Sequence, residues 1–256
     1  MMKKEILHEL ERIEDEHGVT ILHACESGSR AWGFASPDSD YDVRFIYTHH
    51  RDWYLSILEG RDVIEEDITG DLDINGWDIK KALGLLRKSN PPLQEWLSSP
   101  IVYRNKPEAA GKLRDLARQA FLPESSCHHY LALARKSFQK VADQDLVRLK
   151  PFLYALRALL CCKWIIRYQN QPPMLISSLL REFIPSGGLR DEIDALIAAK
   201  KSGNEKMLIA QPLRLRDYLA ENLSAIPREI PKNPPRIKVE IFDHVFRELI
   251  SRHTPH

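Results

Sequence analysis

The 256-residue chain is 43 % hydrophobic and 29 % charged, with 37 Lys and Arg against 36 Asp and Glu for a net charge of +1. This much apolar material excludes collagen-like, low-complexity and wholly disordered chains, and the even balance means that any phosphate or nucleic-acid site must come from local clustering. The length exceeds one typical domain of ~100–200 residues without reaching two large ones, so a compact domain with a helical extension, or two small domains, is expected.

Ile6, Leu10 and Ile13 recur on one helical face in a Lys/Glu-rich background, and Gly18 marks the stop of that helix. The segment has no signal-peptide pattern. Val19 to Ala24 reads as a buried strand, and Tyr41 to Tyr47, rich in β-formers, as a second. Asp62 to Trp77 reads as one or two more strands and Asp78 to Leu86 as a helix, after which Asn90-Pro91-Pro92 breaks the chain before a short helix at Leu93 to Leu97. From Lys112 onward helix follows helix, with Tyr130, Ala134, Phe138 and Val141 on one face and Phe152, Leu156, Leu159 and Ile166 on another. Pro227 to Pro235 is expected to be an extended connector to a last helix over Ile237 to Ile250. No stretch approaches the ~18–20 apolar residues that cross a bilayer. Cys25, Cys127, Cys161 and Cys162 show no C-x-x-C spacing. Reduced, mostly buried thiols in a cytoplasmic protein with no membrane contact are expected.

The chemistry concentrates in Gly28-Ser29-Arg30-Ala31-Trp32-Gly33 and Asp38-Ser39-Asp40-Tyr41-Asp42-Val43-Arg44. Residues two apart on a strand point the same way, so Asp40 and Asp42 project side by side, an arrangement that calls for a cation. A hard divalent ion meets that need, and a pair of ions ~3.5–4 Å apart can clamp the attacking and leaving oxygens of a phosphoryl displacement. A glycine turn opening a short helix offers backbone N–H groups to phosphate, which suits Gly28 and Ser29. Competing readings fare worse. A solvated Asp-rich turn explains neither the strand register nor the preceding Gly-Ser. A calcium loop from Asp38 has Val43 in place of the turn glycine, one from Asp71 has Ala82 in place of the bidentate Glu, and Phe34-Ala35 excludes a P-loop. Cys127-His128-His129 lacks a second ligand cluster for zinc, and the five tryptophans form no stacking array.

Gly-Ser-x-Ala-x-Gly followed by Ser-Asp-x-Asp resembles the signature of the DNA polymerase β-like nucleotidyltransferase superfamily. The longer strings, with Asn75-Gly76-Trp77-Asp78-Ile79-Lys80 and Glu95-Trp96-Leu97, resemble its predicted bacterial and phage RNA-repair branch. The likeness is specific over residues near 20 to 105 and weaker to about 185. It implies an α/β fold with a polymerase β-like catalytic domain and a mixed sheet, assigned to residues 1–105; the helix-rich remainder, residues 106–256, is expected to be a helical substrate- and nucleotide-binding domain. It also implies that Gly28 and Ser29, with Arg30 and Arg44 nearby, hold the phosphates of a nucleoside triphosphate such as ATP, and that Asp40 and Asp42 ligate Mg²⁺, two ions in all. A third carboxylate on a neighbouring strand is expected to bind metal and help deprotonate the acceptor; Asp73 is the choice and Asp78, placed as a helix N-cap, the rival. The other acids between Glu59 and Asp78 (Asp62, Glu65, Glu66, Asp67, Asp71) read as a solvated edge.

In the helical half Lys150, Tyr154 and Arg157 share a face at i, i+4, i+7 spacing, suited to cover a triphosphate. Arg135 to Arg167 holds eight bases against two acids, as an anionic partner requires, although solvated helix faces are often basic too. His129 is a further substrate contact by the same resemblance. The expectation is a Mg²⁺-dependent nucleotidyltransferase of the EC 2.7.7 type, moving a nucleoside monophosphate to an acceptor hydroxyl, with an RNA end favoured. Protein AMPylation of toxin–antitoxin type and a catalytically silent RNA- or nucleotide-binding module are the alternatives.

Overall fold

A computed structural model of the chain describes residues 2–66, 70–203 and 208–252. Its elements are α1 (Met2–His17), β1 (Val19–Glu26), α2 (Gly28–Trp32), β2 (Tyr41–His49), α3 (Arg51–Tyr54), β3 (Val63–Glu65), β4 (Leu72–Asp78), α4 (Ile79–Arg87), α5 (Pro91–Ser98), β5 (Val102–Asn105), α6 (Pro107–Gln119), α7 (Pro123–Gln139), β6 (Leu146–Arg148), α8 (Leu149–Tyr168), α9 (Ile176–Phe183), α10 (Gly188–Ser202), β7 (Leu208–Ala210), α11 (Leu213–Ala225) and α12 (Val239–Arg252), with a 3-10 turn at Ile226–Arg228. Asp67 lies outside the described residues.

Two compact units emerge. The first comprises Met1–Ala31, Asp40–Phe121 and Pro235–His256. Its five strands run β3-β4-β2-β1-β5, with β2 and β4 parallel and every other neighbouring pair antiparallel, so the sheet is mixed. Alternation along β2 sends Val43, Phe45 and Tyr47 to one face, where Ile6, Leu10 and Ile13 of α1 cover them, each buried side chain contributing about 1.5–3 kcal/mol of transfer energy. Ile46 and Trp77 turn to the other face, into a layer built from α4, α5, α6 and α12, where Trp77 stacks on Trp96 with ring centroids 3.9 Å apart. Gly76 is required because the Phe45 ring lies 2.1 Å from where a Cβ would stand. Asp78 caps α4 and Asn90 caps α5, each side chain accepting a backbone N–H of the first turn.

The second unit comprises Trp32–Ser39 and Leu122–Pro234. Helix α7 packs along α8, most of which is buried; Cys127, Cys161 and Cys162 are free thiols in its interior, as Cys25 is in the first unit. The unit also holds a two-stranded antiparallel ribbon of β6 and β7, three residues each and too short for a periodicity to reveal. The division differs from a break at 105/106. Helices α6 and α12 belong to the sheet unit because Leu113, Leu116, Phe242 and Leu249 complete the same apolar layer as Leu22 and Ile46. The Pro-rich segment begins with the 3-10 turn and is otherwise without regular structure up to α12. Among the described residues no helix is long and apolar enough to cross a membrane.

Candidate active site

Strand β1 ends at Glu26, and the chain turns at Gly28, whose φ of +61° is the left-handed conformation that favours glycine. Space imposes the same choice: a Cβ there would stand 2.1 Å from Oδ2 of Asp42. The turn is thus pressed onto a carboxylate of the neighbouring strand. Ser29 follows, buried, in the short helix α2.

Register does the rest. Parallel pairing of β2 with β4 sets Asp42 opposite Asp73 and Arg44 opposite Asn75. Paired positions share a face, so residues 31 apart in sequence bring their carboxylates together. Arg44, two positions beyond Asp42, reaches both: its Nη2 lies 2.7 Å from Asp73 Oδ2 and 3.3 Å from Asp42 Oδ1. Its Nη1 donates to the carbonyls of Val43 and Asp73 at 2.9 and 3.0 Å. Asp40 stands just before β2 and is exposed; its carbonyl accepts from Arg30 Nε at 3.1 Å, and the Arg30 guanidinium lies 3.7 Å from the Tyr41 ring centroid. Among the described residues no three His, Cys, Asp or Glu side chains converge as a metal-ligand set. The convergence is the Asp42–Asp73 pair on one cation.

Glu26 is the residue that sequence reasoning missed. Fully buried at the end of β1, it accepts the Asp42 backbone N–H at 2.8 Å on one carboxylate oxygen and the Tyr103 hydroxyl on the other. The β1–β2 ladder ends as Ser27 N donates to Asp42 O at 2.8 Å, so the Glu26 side chain supplies the acceptor that the turning main chain no longer offers. Burial pushes the Glu26 carboxyl above its ordinary range, against the pull of its two donors. The available signal was an acid closing a strand expected to be buried, two residues before Gly28.

Asp78 lies elsewhere. It pairs with Tyr47, five positions beyond Asp73, or about 16 Å along the strand. Its Oδ1 accepts Lys80 N at 2.7 Å and its Oδ2 the Tyr54 hydroxyl at 2.6 Å; burial raises its carboxyl to about 6. A cavity of about 410 Å³ opens beside it among Trp53, Tyr54, Asp62 and Lys81. This cavity and the Asp42–Asp73 pair therefore lie at opposite ends of β4.

Lys150, Tyr154 and Arg157 all lie on α8, in the second unit. Within that unit they gather at Trp32: the Tyr154 ring meets it edge-on at 5.0 Å, the Arg157 guanidinium lies 4.3 Å from its centroid, and the Lys150 ammonium is 5.8 Å from the Tyr154 ring. Arg157 is 2 % exposed and donates to Met174 O at 3.4 Å, so it lies in the interior and not on a solvated face. His129 is exposed and its ring packs against Tyr130.

A family model described as RNA repair pathway DNA polymerase beta family matches residues 2–248. A Bacillus subtilis (strain 168) protein, "Uncharacterized protein YcgL", is 48 % identical over 225 residues, 88 % of this chain and 86 % of that one. A crystal structure of a nucleotidyltransferase-like protein from Exiguobacterium sibiricum 255-15 aligns over 95 % of this chain and 79 % of that chain, at 12 % identity and a TM-score of 0.32, too low to carry a structural argument.

Proposed function

Because the chain belongs to the RNA repair pathway DNA polymerase beta family, we propose that it is a Mg²⁺-dependent nucleotidyltransferase that moves a nucleoside monophosphate from an NTP to a hydroxyl at an RNA end, releasing pyrophosphate. The observation that carries this reading is the Asp42–Asp73 pair, set by strand register, gathered on one positive group and pressed by the Gly28 turn. Two carboxylates that already share a guanidinium have the donor set and charge for a hard divalent ion. Asp42 and Asp73 would hold it, with Asp40 at the edge of the site. Once bound, such ions neutralise charge on the phosphates and favour ionisation of the acceptor hydroxyl.

The chain's own residues do the positioning. Glu26 fixes the Asp42 main chain, and the Gly28-Ser29 turn offers its backbone N–H groups to the triphosphate beside Asp42. Asp73 would help the acceptor hydroxyl lose its proton. Lys150 and Tyr154 are the proposed triphosphate contacts of the helical unit, and the buried Arg157 holds Trp32 within that unit. Catalysis on this reading is alignment plus charge stabilisation, as general for phosphoryl and nucleotidyl transfer.

The test is incubation of the protein with Mg²⁺, each α-labelled NTP in turn, short RNA and cell lysate, beside Asp42→Asn. Asp42-dependent label on RNA is the expected result. Label on a protein band would replace the RNA acceptor by a protein hydroxyl, and absence of both NTP binding and transfer would leave a silent binding module.

A further inference from the structure

We propose that Arg44 is a built-in counter-cation that occupies the gap between Asp42 and Asp73 and yields it to an incoming divalent ion. The inference rests on the reading that this pair holds the metal. Two carboxylates brought together by strand register repel each other, and in the free protein something must offset that repulsion. Arg44 is placed to do so. Being two residues from Asp42 on the same strand, it projects from the same face, and Nη2 lies within 3.3 Å of Asp42 Oδ1 and 2.7 Å of Asp73 Oδ2.

The guanidinium is held in a divided way. Nη1 is fixed on main-chain carbonyls of both strands, Val43 O and Asp73 O, whereas Nη2 bonds the two carboxylates. Exposure is graded to match: the Asp42 and Asp73 side chains are 32 % and 33 % exposed and Arg44 is 18 % exposed, so an ion from solvent meets the carboxylates before the arginine. An ion held by both carboxylates would compete with Nη2 for the oxygens it now occupies, Asp42 Oδ1 and Asp73 Oδ2. Ion binding therefore costs the charge-assisted contacts of Arg44 and leaves its positive charge beside the turn assigned to the triphosphate. The freed guanidinium gains an anionic partner when nucleotide is present. Arg44 thus weakens ion binding in the free protein and makes ion and NTP bind cooperatively.

Mn²⁺ binding to the full chain, followed by the electron paramagnetic resonance of free Mn²⁺, tests this without reference to turnover. Arg44→Gln is expected to bind Mn²⁺ about tenfold more tightly than the wild type in the absence of nucleotide, given the strength of a charge-assisted hydrogen bond. A non-hydrolysable NTP analogue should tighten Mn²⁺ binding less in this variant than in the wild type. Should Arg44→Gln fail to fold by circular dichroism, Arg44→Lys serves, since a single ammonium cannot span both carbonyls and both carboxylates; tighter binding is again expected. Equal or weaker Mn²⁺ binding in the folded variant, with binding abolished by Asp42→Asn, overturns the role of Arg44 and leaves the metal site standing. No Asp42-dependent Mn²⁺ binding in any of these proteins overturns the metal reading and this inference with it.

Discussion

Asp78→Asn separates the two ends of β4, and its effect can be worked from the environment of the carboxyl. Asp78 is 1 % exposed, and burial raises it from 3.8 to about 6 although Tyr54 and Lys80 both donate to it. A raised carboxyl contributes stability that is present below about 3.8 and lost as pH climbs to about 6, so at pH 7 the ionised form costs about 3 kcal/mol relative to the neutral one. Asparagine keeps the cap, because its Oδ1 still accepts Lys80 N, and removes the buried charge. Tyr54 must then turn to accept from the amide, at a cost of about 1 kcal/mol, which leaves a net gain of about 2 kcal/mol at pH 7. His49, whose backbone N donates to the same Tyr54 hydroxyl at 3.1 Å, is lowered to about 4 by burial and has the opposite sign. Its contribution is present above 6.5 and lost as pH falls toward 4. The two groups offset each other between about 4 and 6 in the wild type, and Asp78→Asn should unmask the His49 slope. Urea melts at pH 7 and pH 5 read this directly: the variant should be the more stable at pH 7 and lose that advantage on acidification. Nucleotide transfer should be unchanged. A variant less stable than wild type at pH 7, or a folded one without transfer activity, would refute the reasoning.

Asp73→Asn, in contrast, should lower kcat by about a thousandfold or more, the scale of several kcal/mol expected when a ligand to a catalytic ion is lost, with the urea midpoint little changed; full turnover would return the third-carboxylate role to another residue. Gly28→Ala meets both a φ of +61° and Asp42 Oδ2, so it should cost about 1–3 kcal/mol of stability and weaken Mn²⁺ binding, read by urea melts and free-ion titration. Tyr103→Phe removes one of the two donors to the buried Glu26 carboxylate, without a change of shape, and should cost about 1.5–3 kcal/mol at pH 7. Because Glu26 is already raised by burial, the loss should shrink as pH falls and the carboxyl takes up its proton; a loss independent of pH would count against an ionised Glu26.

The sequence by itself determined the local elements and the family resemblance. The apolar spacing of Ile6, Leu10 and Ile13 was enough for α1, because a helix repeats its buried face within its own segment. The Gly-Ser turn was legible for the same reason, being a short motif whose geometry is local, and Asp78 announced itself as a cap, whereas Asp40, expected beside Asp42 on one strand face, stands just outside β2, and the cap role of Asn90 appeared only in the structure. Only the tertiary structure decided which distant residues meet. Pairing of β2 with β4 chose Asp73 over Asp78 as the neighbour of Asp42, since a register is a property of two strands and five positions separate the candidates. It also set Arg44 between two carboxylates, and it revealed Glu26, whose acceptor role at Asp42 depends on a neighbouring strand. Helix α12 joined the sheet unit despite coming last in the chain because apolar burial is satisfied by whichever surface remains uncovered, and the entropy cost of closing a long connection grows only slowly with its length.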